Sequence, residues 1–102
     1  MKMLLTVQFP LEPFNFHVRN GKAGEIIARI LEDIKPETAY FTEQDGKRGG
    51  VFVIELQSAS DVPRYAEPFF LNFDASCEFR ILMSPEDLEN AGLEELGKKW
   101  GS

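Results

Sequence analysis

The first half of the chain contains a run of strand formers followed by a longer amphipathic segment. Residues 2–9 read KMLLTVQF, and the run stops at Pro10. Its even-numbered and its odd-numbered positions both include apolar side chains, as is typical of a strand covered on both faces. The pattern of residues 11–23 predicts neither a helix nor a strand clearly. In residues 24–34, apolar side chains recur on one side and charged side chains on the other. This spacing predicts an amphipathic helix that ends before Pro36.

A pair of strands is predicted around a polar insert. Residues 37–43 and 51–57 are rich in β-branched and aromatic side chains, and the stretch between them, residues 44–50, reads QDGKRGG. Its Asp-Gly and Gly-Gly pairs can supply the positive φ angles that a hairpin needs. The pattern therefore predicts a hairpin with this stretch as its loop and with Lys47 and Arg48 as solvated charges.

The second half of the chain predicts a helix, a strand and a terminal helix. Ser60 is the expected N-cap of the first helix, and Pro68 is expected to end or kink it. Residues 73–83 alternate between apolar and polar side chains and form the clearest half-buried strand in the sequence. Ser84, followed by Asp87 three positions later, predicts a capped C-terminal helix.

The predicted order is β-α-β-β-α-β followed by one helix, which is the ferredoxin-like arrangement of an α+β domain. Both helices of the repeat lie on one face of a four-stranded antiparallel sheet. A length of 102 residues fits one domain, residues 1–102. Because residues 51–57 carry apolar side chains toward both faces, we expect the uncovered face to pack on a second copy of the chain in a homodimer.

Composition narrows the classes of partner. Nine phenylalanines indicate either one well-filled core or a second buried surface such as a subunit interface. A net charge of −6, with no Lys or Arg run longer than two, argues against nucleic acid and against an anionic membrane surface. The first ten residues have too short an apolar run for a signal peptide, so we expect a cytoplasmic protein. Single His and Cys residues predict no metal site, no disulfide and no cofactor, and Cys77 is expected to be a buried, inert thiol.

Three runs of this sequence resemble known proteins. FTEQDGKRGG, AEPFFL and MSPEDL are similar to characteristic runs of a group of small bacterial domains of unknown function. Over the whole chain, the element order resembles that of the dimeric α+β barrel superfamily, whose ferredoxin-like protomers join their sheets in pairs. Residues 49–87 also resemble muconolactone isomerases, more loosely, in their succession of an apolar strand, a helix that starts near a serine and ends in a Pro/Phe cluster, and a last strand. The resemblance implies the fold and a homodimer, but this superfamily holds several activities, so no single substrate is implied.

Four polar residues are candidates for chemistry. Glu55 interrupts an apolar strand and is either an acid/base group in a cleft, or a strand-end residue near solvent, or the partner of Arg80 or Arg64 in an ion pair. His17 is either a general base between sheet and helices or an edge residue among its phenylalanine neighbours. Tyr40 and Arg80 are candidate ligand-binding residues, with a half-buried strand tyrosine and a cross-strand ion pair as the structural alternatives.

Three functions are compatible with these observations. The first is an uncharacterised homodimer that binds a small apolar molecule between sheet and helices, or that acts through assembly alone. The second is a cofactor-free isomerase or oxygenase acting on a small aromatic or lactone-like molecule, with Glu55 and His17 as catalytic candidates. The third is a module that binds another protein. An enzyme requires at least two polar candidates to converge on one pocket.

Overall fold

A computed structural model describes residues 1–101 and contains a four-stranded sheet with helices on one face. Its strands are β1 (Lys2–Phe9), β2 (Thr38–Gln44), β3 (Lys47–Glu55) and β4 (Ser76–Ile81). Its helices are α1 (Leu11–Arg19), α2 (Ala23–Ile34), α3 (Val62–Phe73), α4 (Pro85–Glu89) and α5 (Leu93–Trp100). The strands pair antiparallel in the order β2-β3-β1-β4, which confirms the predicted ferredoxin-like α+β fold.

The alternation of β1 shows which face of the sheet carries the core. Every second residue from Met3 to Phe9 is buried, while the residues between them are half-exposed. Phe52 and Ile54 of β3 pair with Leu5 and Met3 and therefore point to the same side. The largest fully buried side chains fill the layer between sheet and helices: Phe9, Phe52, Phe69, Phe73, Leu5, Ile54 and Val7. Within one chain, only one face of β1 is covered.

Most of the phenylalanines belong to this core. Six of the nine lie in it or pack against it, which agrees with the interpretation that one core is well filled. Their rings meet mainly edge to face, the geometry that aromatic pairs prefer. The remaining three are exposed at the surface: Phe16, Phe41 and Phe70.

The hairpin between β2 and β3 is tighter than the sequence predicts. Its loop contains only Asp45 and Gly46, both with positive φ (52° and 78°), because strand pairing resumes at the next residue. Gly49 and Gly50 lie inside β3 instead of in the loop. A Cβ on Gly50 would lie 2.8 Å from the Phe52 ring, so the glycine leaves room for a core side chain. The prediction of a seven-residue loop is wrong.

Arg48 is not a solvated turn charge. Its Nη1 donates a hydrogen bond to Asn15 Oδ1 at 2.8 Å, and its guanidinium lies 4.3 Å from the centre of the Phe14 ring. Both contacts join β3 to α1, the segment whose sequence fits no single assignment. Lys47, by contrast, is exposed as predicted.

Helix α3 continues past Pro68 to Phe73, so Pro68 does not end the helix, and the alternative, a kink at Pro68, stays a prediction. The burial of Phe69 and Phe73 on the core side of this last turn offsets the hydrogen bond that the proline lacks. Asp74, with φ 53°, then ends the helix, and the last strand starts only at Ser76. Phe73 is therefore helical and does not begin the predicted strand.

The two predicted helix caps have different outcomes. Ser60 lies inside a 3-10 turn, Ala59–Asp61, that precedes α3, and so it is not an N-cap. Ser84 does cap α4: the Asp87 N–H donates to Ser84 Oγ at 3.0 Å, and the Ser84 N–H donates to the Asp87 carboxylate at 2.9 Å. Hydrogen bonding from the Ser84 backbone N–H, and to a smaller extent from the Ser84 side chain, lowers the pKa of the Asp87 carboxyl.

Residues 83–101 form a projecting segment, here called the C-terminal arm. All of its residues are exposed, and the molecule measures 61 × 28 × 20 Å. The radius of gyration is 17.4 Å, whereas a compact chain of this length has about 13 Å. The predicted single terminal helix is divided into α4 and α5 at Gly92, which has φ 73°. The arm therefore contributes little to the core of its own chain.

Candidate functional site

The four candidate residues lie in separate parts of the structure. His17 belongs to α1, in the helix layer. The strand register places Tyr40, Glu55 and Arg80 on the opposite face, which we call the open face. Tyr40 and Arg80 belong to the two edge strands, and Glu55 is the last residue of β3. The structure does not bring the four into one pocket, and their catalytic and ligand-binding roles stay predictions.

His17 is half-buried and connects two helices. Its Nε2 lies 3.0 Å from the carbonyl oxygen of Asn72, at the end of α3, and donates to that oxygen when it carries the proton. Its ring stands edge-on to the ring of Phe73, with 5.5 Å between their centres. These contacts give His17 a packing role between α1 and α3.

Glu55 lies at a strand end near solvent. Its carboxylate accepts a hydrogen bond from the amino group of Met1 at 2.7 Å, and both side chains are about half-exposed (47% and 56%). An exposed pair of this kind contributes about 0–1 kcal/mol. Neither predicted arginine is its partner, since Arg80 pairs with Glu78 and Arg64 donates to the backbone of α2.

The open face carries an apolar patch that is smaller than the sequence predicts. Leu4, Val51 and Val53 are half-buried near the centre of the sheet, and Tyr40, 66% exposed, lies beside them on β2. We call these four residues the apolar patch. The remainder of the open face is mostly polar, so the prediction of a mostly apolar uncovered face holds for this patch only.

Polar side chains line a shallow cleft of about 360 Å³ on the same face. Strand β1 supplies its floor, β4 one wall and the β2–β3 turn the other. Its residues, which we call the polar cleft, are Thr6, Gln8, Gln44, Asp45, Ser76, Glu78 and Arg80. The cleft borders the apolar patch, because Thr6 pairs with Val51 and Leu4 pairs with Arg80 across the strands.

The polar cleft combines hydrogen-bond donors and acceptors. Gln8 Nε2 lies 3.3 Å from the carbonyl oxygen of Gln44 and 3.3 Å from Asp45 Oδ2. Arg80 Nη2 donates to Glu78 Oε2 at 3.1 Å. Hydroxyls of threonine and serine complete the set. The arrangement can bind the oxygen atoms of a small molecule, with a guanidinium and an amide as donors and two carboxylates as acceptors.

Sequence reasoning found only Arg80 among the residues of this cleft. Thr6 and Gln8 are polar residues on the face of β1 that also carries Leu4. Their polarity is the feature of the sequence that could have indicated a binding surface there. Their importance depends on the register, which pairs Thr6 with Glu78 and Gln8 with Ser76. The alternation of side chains within one strand does not specify which residues of the neighbouring strands lie opposite them.

Cys77 is half-buried on the core side of β4. Burial, and to a smaller extent the carboxylate of Glu67, raise the pKa of the Cys77 thiol to about 11. The thiol is therefore protonated near neutral pH, which agrees with the predicted inert cysteine. Residues 1–101 contain no cluster of three or more potential ligands for a metal ion. No helix in that range has the length and apolar character that crossing a bilayer requires.

Comparison with known proteins finds a likeness among solved structures. No protein-family model matches the chain, and no curated protein does. A solved structure, 5-chloro-2-hydroxyhydroquinone dehydrochlorinase from Burkholderia phenoliruptrix in complex with 2,5-dihydroxybenzoquinone, is similar at 17% identity with a TM-score of 0.59. The match covers 84% of this chain and 97% of that chain. At this identity the likeness shows the fold alone, and membership of the dimeric α+β barrel superfamily stays a prediction.

Proposed function

We propose that this chain is a homodimer that binds a small, oxygen-bearing aromatic molecule on the open face of its sheet. The observation that carries the proposal is the direct contact between the polar cleft and the apolar patch. Binding sites for small molecules combine apolar surface with a few polar groups that orient the ligand. The open face of this sheet carries the polar cleft and the apolar patch on adjacent strands.

Each part of the open face has a defined role in this proposal. The Arg80 guanidinium donates hydrogen bonds to ligand oxygens, and Glu78 accepts one from a ligand hydroxyl. The ring of the ligand lies on Leu4 and Val51, with Tyr40 at its far edge. A hydroxylated ring suits this arrangement better than a purely apolar molecule, since the cleft residues would otherwise lose water without gaining partners.

The open face is a better location than the layer between sheet and helices. Core side chains such as Phe52 and Phe69, which are at most 1% exposed, fill that layer, and a ligand there would displace them. In the proposed homodimer, the open face of a second copy closes the cleft and excludes water. Both the homodimer and the cytoplasmic location stay predictions.

The solved structure with the same fold guides the choice of probe. That protein holds 2,5-dihydroxybenzoquinone, an oxygen-bearing ring. The test is a titration of the isotope-labelled protein with this compound, followed by amide chemical shifts. We expect saturable shifts at Thr6, Gln8, Ser76 and Glu78. Shifts confined to the helix layer, or no saturation at millimolar ligand, would refute the proposed site.

Matched variants separate the cleft from non-specific binding. Arg80→Ala is expected to weaken binding at least about tenfold, because a charged hydrogen-bond donor is lost. Arg19→Ala removes the same side chain from α1, in the helix layer on the other side of the sheet and outside the groove between α2 and α3, and leaves the affinity unchanged. Equal loss in both variants would indicate a general charge effect and not a site on the open face.

A second candidate function is a cofactor-free enzyme that acts on such a ring. The specific observation is that Glu78 and Arg80 lie 3.1 Å apart in the cleft, as a carboxylate base beside a cation. Incubation with 5-chloro-2-hydroxyhydroquinone, with chloride release as the readout, tests the dehydrochlorination that the similar protein is named for. Catalysis requires release above background that Glu78→Gln abolishes; release equal in that variant would reject it.

A further inference from the structure

The C-terminal arm presents an apolar stripe that its own chain does not cover. Leu93, Leu96 and Trp100 lie at positions i, i+3 and i+7 of α5 and are 58%, 46% and 74% exposed. This spacing places them on one face of the helix. Amphipathic helices that bind in grooves use anchors at these same spacings.

A groove suited to such a helix lies on the outer side of the helix layer. It occupies about 940 Å³ between α2 and α3, and we call it the α2–α3 groove. Its apolar surface comes from Ile26, Ile30, Pro63, Pro68 and Leu71. Leu71 is 78% exposed, the highest value among the large apolar side chains of residues 1–101. The groove therefore combines an exposed leucine and other apolar side chains with a charged rim, and nothing in residues 1–101 occupies it.

The helix and the groove match in length and in charge. Helix α5 has 8 residues and is about 12 Å long, and α2 and α3, with 12 residues each, are about 18 Å long. Acidic residues occupy the first turn of α5 and two lysines the last. The rim of the groove has charges of both signs, which can pair with both ends of the helix: Arg29, Arg64, Glu32 and Glu67.

We infer that α5 of each protomer docks in the α2–α3 groove of a second copy of this chain. Both uncovered surfaces belong to the same chain, so one reciprocal exchange covers the arm and the groove of both copies in a closed two-fold dimer. The arm does not fold back on its own body, because every residue from Met83 to Gly101 is exposed. The inference deepens the proposed homodimer and rests on it.

The buried area is sufficient for a stable dimer. From the exposures of Leu93, Leu96 and Trp100, each α5 can bury on the order of 400 Å² of apolar surface. Two such helices and the two grooves that receive them then bury about 1,200–1,600 Å², at the lower end of the range of specific interfaces. The link also reaches far enough: about 20 Å separates a sheet from the helix layer of a partner packed face to face. Residues 82–92, with the five residues of α4 helical and the other six extended, reach about 27 Å.

Sedimentation of the full chain at low micromolar concentration tests the inference. The intact protein is expected to be a dimer, and Leu96→Asp is expected to raise the dimer dissociation constant at least tenfold. Lys22→Ala changes the net charge by the same amount at an exposed residue outside the arm and the groove, and it serves as the control. Leu71→Asp, in the groove, is expected to act as Leu96→Asp does.

Disulfide trapping identifies the occupant of the groove directly. In a Cys77→Ser background, a tagged chain with Leu93→Cys is mixed with an untagged chain with Leu71→Cys, and oxidation is expected to link the two. Thr42→Cys, exposed on β2, replaces Leu71→Cys in the control mixture and is expected to give no link.

Each other result overturns a specific claim. A dimer that Leu96→Asp leaves intact, with no trapped link, refutes the docking of the arm while the open-face dimer and the ligand titration stand. A chain that carries both Leu93→Cys and Leu71→Cys is oxidised separately. A disulfide that forms only within this chain, and not between the two single-cysteine chains, shows that the arm folds back on its own body. A monomer at every concentration refutes the docking and the homodimer together, whereas the ligand shifts on the open face are measured independently.

Discussion

Gly50→Ala tests why a glycine occupies the middle of β3. An added Cβ would lie 2.8 Å from Phe52 Cζ and 2.9 Å from Cε2, closer than real Cβ contacts. The Phe52 ring is fully buried, and its centre lies 5.4 Å from that of Phe69 and 5.7 Å from that of Phe41. Because rings on both sides restrict it, Phe52 cannot turn away without displacing the core.

The magnitude follows from two opposing terms. Overpacking a core by one methyl group costs about 1–3 kcal/mol. Replacing glycine by alanine within a regular element raises the free energy of unfolding by about 0.5–1 kcal/mol, because the unfolded chain loses conformational freedom. The two terms differ by about 0–2.5 kcal/mol. We therefore expect Gly50→Ala to lower the free energy of unfolding by about 1 kcal/mol, near the middle of that range, which corresponds to roughly 4–8 °C in Tm.

Urea denaturation at equilibrium measures this change as a lower midpoint with an unchanged m-value. Gly24→Ala in α2 is the control, since no atom lies within 4 Å of its added Cβ, and it is expected to stabilise by about 0.5–1 kcal/mol. In the Phe52→Leu background, which removes the ring, the penalty of Gly50→Ala should fall by about 1 kcal/mol. A penalty that is absent, or that is equal in both backgrounds, would refute a steric role for Gly50.

Three further predictions concern the core, the thiol and the arm. Phe73→Ala should cost about 3–5 kcal/mol in urea denaturation, because the buried ring packs on Phe9 and Phe14; a loss below 1 kcal/mol would contradict this packing. With a pKa of about 11, the Cys77 thiol should react slowly with iodoacetamide at pH 7.5, and the rate should rise with pH toward 11; equal rates in the folded and the urea-unfolded protein would reject this. The lowered pKa of Asp87 means that the α4 cap is fully formed above the ordinary carboxyl pKa and weakens as pH falls through the lowered value. The Ser84 amide shift should follow this titration, and a pH-dependent shift that persists in Asp87→Asn would show another cause.

The order of the elements could be predicted because the pattern within each element is local. Strand β1, the body of α2 and the Ser84 cap have the predicted positions, since apolar spacing and capping depend on residues a few positions apart. The errors occur where a distant contact decided the outcome. Pro68 lies inside α3 because the next helical turn buries Phe69 and Phe73 against the sheet.

The candidate residues show the same division. Glu55 was singled out as an acid in an apolar strand, but the strand ends there and the carboxylate pairs with the amino group of Met1. His17 was singled out as the sole histidine, and its partner is a backbone carbonyl 55 residues away. A residue type suggests chemistry, whereas the neighbours that permit or prevent that chemistry belong to other segments of the chain.

The sequence by itself determined the order of the four strands with α2 and α3 between them, the α+β class and the apolar face of α2, because these depend on periodicity and on short-range hydrogen bonds. Only the tertiary structure decided which side chains meet. Strand register brought Thr6 beside Glu78, and hairpin closure brought Gln8 to Asp45, which is 37 positions away. The projection of the arm away from the body was also decided at this level. Such contacts depend on how whole elements pack, and no local pattern records that packing.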